Sequence, residues 1–127
     1  MGGADTGPRI ETLTKRADFL RAAKARRQAT PGFLLQARQR RPDETAEAAI
    51  RIGYTCSKKL GNAVARNRAK RRLREIARLE LPEHAHAGWD YVLVGRPGAT
   101  ATQDFARMRA DLARALKKVH RAPEAGA

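Results

Sequence analysis

Apolar and polar side chains alternate along AIRIGYTCS, residues 49–57, and this alternation predicts a half-buried β-strand. Its apolar face carries Ile50, Ile52, Tyr54 and Cys56, and its other face carries Arg51, Thr55 and Ser57. PGFLLQAR, residues 31–38, predicts a second strand that opens with a Pro-Gly break. DYVLVGR, residues 90–96, is apolar at successive positions, which is typical of a central strand covered on both faces.

Apolar residues at intervals of three and four positions predict three helices. The first covers residues 13–25, has Thr14 as its N-cap, and takes its apolar contacts from Leu13, Phe19, Leu20 and Ala23. The second extends from a cap near Asn62 to about Leu81, where Pro82 ends it. The third covers residues 102–119. Two caps are open for the third helix: Thr100 together with Gln103, or Thr102 alone.

The predicted elements form an α+β domain of order α-β-β-α-β-α, with one further short strand left open. A chain of 127 residues is suited to one domain with a modest core. We place that domain at residues 13–119. The small-residue and Pro/Gly-rich ends, residues 1–12 and 120–127, are expected to be flexible, and residues 40–48 to form a polar loop.

The charge balance favours a polyanionic partner. The chain has 27 Lys and Arg residues against 13 Asp and Glu, a net charge of +14, and its pI is about 11.3. Such a charge raises association with polyanions without dictating a fold. Nucleic acid is therefore the leading partner class and an anionic membrane surface the second. The single cysteine, Cys56, is expected to be a small core residue in a reducing compartment.

The hydropathy of the chain leads us to expect a cytoplasmic protein. No apolar run approaches the roughly 18 residues that span a bilayer, and the N-terminal residues lack the apolar core of a secretion signal.

The predicted second helix sorts its charge onto one side. At 100° per residue, one side carries Ala65, Ala69, Leu73 and Ile76, and the opposite side carries Asn67, Lys70, Arg71, Arg74 and Arg78. Arg66 and Arg68 lie on the flanks. Arg72 lies near the apolar side, and we expect its stem to cover the core while its guanidinium reaches water.

Like charge at this density favours anion binding over an ordinary solvated helix face. Solvated faces usually mix signs and gain i,i+4 pairs, but only Glu75 interrupts this run before Glu80. Arg66 and Arg68 also lie near the positive end of the helix dipole, where cations are mildly unfavourable. Arginine suits bidentate phosphate contacts, and Gly61 lets a backbone approach closely.

SKKLGNAVARNRAKRRLRE, residues 57–75, resembles the signature of the bacterial ribonuclease P protein subunit, an Arg-Asn-Arg core followed by spaced basic residues. LTKRADF, FLLQAR, IRIGYTCSKK and DYVLVGRPGA stand in the order and spacing of that family. The resemblance covers residues 13–119. It implies an α/β sandwich similar to a ribosomal protein S5 domain, with a left-handed crossover between the parallel strands that flank the basic helix.

The resemblance also implies a function. The family protein works in a ribonucleoprotein endoribonuclease that removes the 5′ leader of precursor tRNA. The RNA subunit cleaves with Mg²⁺ held mainly by that RNA and the substrate, and the protein supplies no catalytic side chain. The expected partners are therefore the catalytic RNA and precursor tRNA, with neither DNA nor a membrane.

Two binding surfaces follow from the resemblance. Residues matching the contact with the catalytic RNA are Lys58, Lys59, Arg66, Asn67, Arg68, Lys70, Arg71 and Arg74. Residues matching the leader-binding cleft between the first helix and the sheet are Phe19, Ala23, Leu34, Gln36, Thr55 and, at its edge, Arg66. Ala23 and Gln36 stand where the family often has aromatics, so leader preference or affinity is expected to differ. Core packing remains the alternative role for Phe19.

Three alternative functions stay open from the sequence alone. A general RNA-binding protein would share the charge and the fold type. A DNA-binding protein would need a helix-turn-helix pair or zipper heptads, which the pattern lacks. A membrane binder would need bulky apolar residues where Ala65 and Ala69 stand. His84 and His86 are too few ligands on too mobile a loop for a structural metal site, and no metal site is expected.

Overall fold

The computed structural model describes residues 9–41 and 49–121. Residues 1–8 and 122–127, for which flexible ends were expected, lie outside this description. The same holds for residues 42–48 of the expected polar loop.

Five strands and four helices make up the described chain. The strands are β1 (Ile10–Thr12), β2 (Arg26–Ala29), β3 (Phe33–Gln39), β4 (Ile50–Thr55) and β5 (Trp89–Gly95). The helices are α1 (Arg16–Ala23), α2 (Ala63–His84), α3 (Ala99–Thr102) and α4 (Phe105–Arg121), and a 3₁₀ turn, Lys58–Leu60, precedes α2. The α+β class and the order of the predicted elements are confirmed.

The strands form one mixed sheet in the order β1-β4-β5-β3-β2. β4 lies parallel to both β1 and β5, whereas β3 lies antiparallel to β5 and β2. The basic helix α2 is the crossover between the adjacent parallel strands β4 and β5. This connection starts α2 beside the carboxyl end of β4.

The two faces of the sheet carry cores of different size. The larger core lies under α2 and α4 and includes Phe33, Leu35, Ile52, Leu73, Ile76, Tyr91, Leu93, Met108, Leu112 and Leu116. On the other face the short helix α1 covers a small cluster of Leu13, Ala22 and Val92, joined by Phe19 and Val94. Because α1 is only eight residues long, much of this second face stays uncovered.

The positions of two edge strands were not predicted from the sequence. Ile10–Thr12, placed in the flexible start, pair with β4, and Arg26–Ala29 pair with β3. Both are three or four residues long, too short for an alternating pattern to be recognised. The backbone bonds they make to a neighbouring strand hold them in place.

Helix boundaries also differ. α2 continues through Pro82 to His84, because a proline in the last turn removes only its own N–H and the bond from the Ala85 N–H to the Leu81 carbonyl (2.9 Å) still forms. Thr14 is not the cap of α1: Lys15 holds the N-cap position before Arg16, and its side chain makes no cap hydrogen bond. Neither Thr100 nor Thr102 caps the last helix. Asp104 does, since its carboxylate accepts the Arg107 N–H at 3.0 Å.

The contacts expected of the first helix are partly wrong. Leu13 is buried, but Leu20 is 50% exposed and Ala23 is exposed. Ala22 and Asp18 are the buried positions of α1.

A buried carboxylate joins four segments of the chain on the α1 face. Asp90 is fully buried, and its carboxylate accepts from Arg40 (2.6 Å) and bidentately from Arg51 (2.7 Å for both bonds). Arg40 also donates to the carbonyls of Ala49 and Trp89. Arg51 reaches Asp18 of α1 at 3.5 Å. The network fixes α1 and the end of β3 relative to the two central parallel strands.

Replacing Asp90 by asparagine is expected to lower the free energy of unfolding by about 3–5 kcal/mol, because two arginines lose their buried counter-charge. Urea denaturation followed by circular dichroism measures this.

The matched control is Glu75→Gln, which removes an exposed carboxylate that pairs with Arg78 and should leave the denaturation midpoint unchanged. Equal midpoints for the parent and Asp90→Asn would show that the buried network does not stabilise the fold.

Candidate nucleic-acid interface

The turn into α2 depends on Gly61 and Asn62. Gly61 has a φ of +146°, which L-residues with a side chain rarely adopt, and a Cβ there would lie 2.9 Å from that of Ala65. Asn62 is the N-cap, as predicted: its side-chain oxygen accepts the Ala65 N–H at 2.9 Å. The preceding 3₁₀ turn exposes Lys58 and Lys59 at the same end of the helix.

Three of the four residues predicted for the apolar side of α2, Ala69, Leu73 and Ile76, are fully buried, whereas Ala65 in the first turn is half-buried. Ala77, which was not predicted, adds a fourth buried position at 1% exposure. Cys56 packs against this core, and burial raises the pKa of its thiol. On the outward side Asn67, Arg68, Arg71 and Arg74 are exposed, and Lys70 is half-buried. We call Lys58, Lys59, Asn67, Arg68, Arg71 and Arg74 the basic face.

Arg72 is half-buried and has a structural role that the sequence did not predict. The guanidinium donates to the carbonyls of Thr100 (2.9 Å), Ala101 (2.8 Å) and Gln103 (2.8 Å) at the end of α3. These carbonyls lack partners within so short a helix. The guanidinium also lies over the Phe105 ring, 5.9 Å from its centroid. One arginine of the motif thus ties α2 to the segment before α4.

The other arginines of α2 fall into two groups. Arg66 donates to the Gly61 carbonyl at 2.7 Å, and Arg78 pairs with Glu75. Arg74 lies over the Tyr54 ring, 5.2 Å from its centroid. Arg68 and Arg71 are exposed and make no hydrogen bond or ion pair within residues 9–41 and 49–121. Their charges are available to an external anion.

A cleft of about 470 Å³ lies on the opposite face of the sheet, between α1 and β3, β4 and β5. Its lining residues are Thr14, Arg16, Phe19, Leu20, Ala23, Gln36, Tyr54, Thr55, Val92 and Val94. Four of the six residues assigned to the leader cleft, Phe19, Ala23, Gln36 and Thr55, therefore come together here.

The other two assigned residues do not line the cleft. Leu34 pairs with Val94 on the same face of the sheet but is not part of the wall, and Arg66 is held at the Gly61 carbonyl. Val92 and Val94 in its wall were not assigned from the sequence. The two apolar faces of the strand DYVLVGR were the signal that could have identified them.

Phe19 both packs and lines the cleft. The ring is half-buried against the Leu13, Ala22 and Val92 cluster. It crosses Gly53 so closely that a Cβ there would lie 2.5 Å from the ring. Gly53 thereby provides the space that sets the ring in the wall of the cleft, and the two roles weighed for Phe19 are compatible.

The histidines are placed apart from both surfaces. Glu80, Glu83 and His84 form the one group among the described residues whose spacing could hold a metal ion, and the Glu80 carboxylate already accepts from Arg109. His86 stacks on His120, with ring centroids 3.5 Å apart. Burial, with the nearby His86 and Arg26, lowers the pKa of His120 to about 4.

No helix in residues 9–41 and 49–121 is long and apolar enough to cross a membrane.

Comparison with known proteins places the chain in one family. The sequence model of the family described as Ribonuclease P matches residues 8–120. The ribonuclease P protein component of Ruegeria pomeroyi is 59% identical over 111 residues, 87% of each chain, and that of Paramagnetospirillum magneticum is 47% identical over 112 residues, 87% of this chain and 84% of the other.

Solved structures agree. The ribonuclease P protein of Thermotoga maritima superposes with a TM-score of 0.68 at 27% identity, covering 84% of this chain and 96% of that one. That of Staphylococcus aureus gives a TM-score of 0.66 at 29% identity, with 85% and 94% covered.

Arg72→Ala is expected to lower the free energy of unfolding by about 1–3 kcal/mol, because three carbonyls at the end of α3 lose a charged donor. Arg71→Ala, its exposed neighbour in the sequence, is the matched control and should leave the unfolding midpoint unchanged. Denaturant titration of both variants measures the difference. Equal stability of the two variants would show that the hydrogen bonds of Arg72 to these carbonyls do not stabilise the fold.

Proposed function

Because the chain belongs to the ribonuclease P protein component family, whose known role is processing of the tRNA 5′ leader, we propose that its two surfaces divide that task. The family implies an RNA partner and a tRNA substrate. In this proposal the basic face binds the catalytic RNA of ribonuclease P, and the cleft beside α1 binds the leader of precursor tRNA.

The exposed arginines of α2 carry the proposal for the RNA partner. Arg68 and Arg71 project from the outward side with no ion pair inside the described chain, beside the free N–H groups of the helix start. Lys58 and Lys59 extend the same positive charge across the turn before the helix. This arrangement matches a phosphate backbone, since guanidinium groups bind phosphate bidentately. Asn67, Lys70 and Arg74 complete the surface, and Arg66 contributes from its place against Gly61.

The cleft suits a single-stranded nucleic acid. Its floor is apolar, Val92 and Val94 of β5, and its walls add the Phe19 ring and the polar side chains of Gln36 and Thr55. One aromatic ring offers one stacking contact, worth about 1–3 kcal/mol for each base. Ala23 and Gln36 add none, so we propose a leader contact that rests on shape and on Phe19 more than on successive stacked bases.

The chain brings the two surfaces together at one point. β4 ends at Thr55 in the cleft, and Lys58 follows three residues later at the start of the basic face. In this proposal a single-stranded leader bound in the cleft therefore runs toward the RNA bound by α2. Positioning of this kind lowers the entropic cost of bringing the scissile bond to a catalytic centre.

The residues that line the cleft have apolar, hydroxyl and amide side chains, with one arginine. This composition suits the binding of a ligand. In the proposal, cleavage belongs to Mg²⁺ held mainly by the catalytic RNA and the substrate, and the protein acts in the cytoplasm without a catalytic side chain.

Reconstitution tests the proposal. Adding the protein to bacterial ribonuclease P RNA at low Mg²⁺ should raise the rate of precursor-tRNA cleavage above that of the RNA alone, because protein cations replace part of the Mg²⁺ that screens phosphate repulsion. Gel analysis of the released leader measures the rate.

Arg68→Ala should reduce the gain at limiting protein, and Lys117→Ala, an exposed cation on α4, is the matched control that should retain it. A cleavage rate equal to that of the RNA alone would contradict the proposed function.

A further inference from the structure

A second groove lies on the other side of the sheet, between the edge strand β1 and helix α2. Its volume is about 370 Å³. The residues that line it are Ile10, Thr12, Ile52, Tyr54, Arg74, Ala77, Arg78, Leu81 and Pro82. We call it the edge groove. It is distinct from the cleft beside α1, with which it shares only Tyr54.

The floor of the edge groove is apolar and open to solvent. Ile52, Ala77 and Leu81 form the floor at 4% exposure or less, while Ile10 in the wall is 41% exposed. β1 has only three residues, and Ile10 and Thr12 lie on the face of the sheet that carries α2, in register with Ile50 and Ile52. An apolar channel beside a strongly basic helix is thus left uncovered within the described chain.

The rim of the edge groove is cationic. Arg74 and Arg78 stand on its α2 side, both exposed. Arg74 lies over the Tyr54 ring, so that an aromatic surface and a guanidinium meet at one end. Burial raises the pKa of Tyr54 to about 12, and the phenol stays neutral at physiological pH. The groove therefore combines an apolar floor, an aromatic end and positive charge on one side.

We propose that the edge groove takes one unpaired base of the RNA that binds the basic face, with its phosphates against Arg74 and Arg78. The inference rests on the proposed function and adds a base contact to it. A nucleotide has a flat apolar ring joined to an anion, which matches this combination of floor and rim. The exposed Thr12 hydroxyl is the polar group in the wall that can meet a base edge.

Charge complementarity selects this occupant over a second copy of the chain. A copy would bring another +14 against Arg74 and Arg78, and like charge on both partners opposes association. An RNA nucleotide brings a phosphate that can bind the exposed Arg74 guanidinium and add to Glu75 as a partner of Arg78.

The test is filter binding of bacterial ribonuclease P RNA to Thr12→Trp at several salt concentrations. The indole fills the edge groove from an exposed position without changing the charge. The dissociation constant should rise about 5- to 150-fold, the loss of one stacked base, with the slope of log affinity against log salt unchanged because the phosphate contacts remain. The control is Glu11→Trp, which places the same bulk on the opposite face of β1. Because this substitution also removes a negative charge, its dissociation constant is compared with that of Glu11→Gln, which has the same charge.

A second measurement covers the case in which the introduced indole itself stacks on the RNA and so keeps the affinity high. An azidophenyl photocrosslinker on Thr12→Cys, in a Cys56→Ser background, should join one unpaired nucleotide, mapped by primer extension, and the same probe on Glu11→Cys should not.

Three results would overturn the inference: parent-like affinity of a folded Thr12→Trp, crosslinks spread over many nucleotides, or self-association of the parent that Thr12→Trp removes. If the parent protein does not bind the RNA, the proposed function is wrong. If the parent binds and one of these three results is found, only the inference about the edge groove is wrong.

Discussion

The docking of α2 on the sheet is the interaction on which the rest of the structure depends. Ala69, Leu73, Ile76 and Ala77 bury one side of the helix completely, and the Arg72 guanidinium ties the same side to the carbonyls at the end of α3. Both contacts orient the remaining basic side chains outward. Mutual repulsion among those charges opposes folding, and the buried side offsets it. Arg68 and Arg71 therefore stay on the outward side without an ion pair among residues 9–41 and 49–121, and an RNA partner would neutralise their charges.

The short helix α1 makes the second surface possible. It covers only part of the sheet because it is eight residues long, and the Asp18–Arg51–Asp90–Arg40 network fixes it at one end of the strands. Gly53 lets the Phe19 ring lie on the sheet itself. The cleft is then an uncovered stretch of a rigid sheet. Its walls come from strands and a helix, and this suits the proposed binding of a flexible single-stranded leader.

Much of the fold was predictable from local patterns. The period-two strands, the apolar side of α2 and the Asn62 cap depend on neighbours in the sequence, and all three are confirmed. The edge strands β1 and β2 depend on pairing with distant residues, so their short sequences predict little. Arg72 shows the same limit within the motif: its three carbonyl acceptors lie about 30 residues away, so a helical wheel could not identify its role. In the candidate site, the fold placed Leu34 and Arg66 outside the cleft wall and added Val92 and Val94.

The most direct test of a division between two surfaces is a double-mutant cycle with Phe19→Ala and Arg71→Ala in the reconstituted holoenzyme. Binding is measured with precursor tRNA and with leaderless tRNA. We expect Phe19→Ala to weaken only the leader-bearing substrate, Arg71→Ala to weaken assembly with the RNA, and the two effects to add within about 0.5 kcal/mol. Equal losses for leaderless and leader-bearing tRNA on changing Phe19, or strong coupling between the two positions, would contradict separate surfaces.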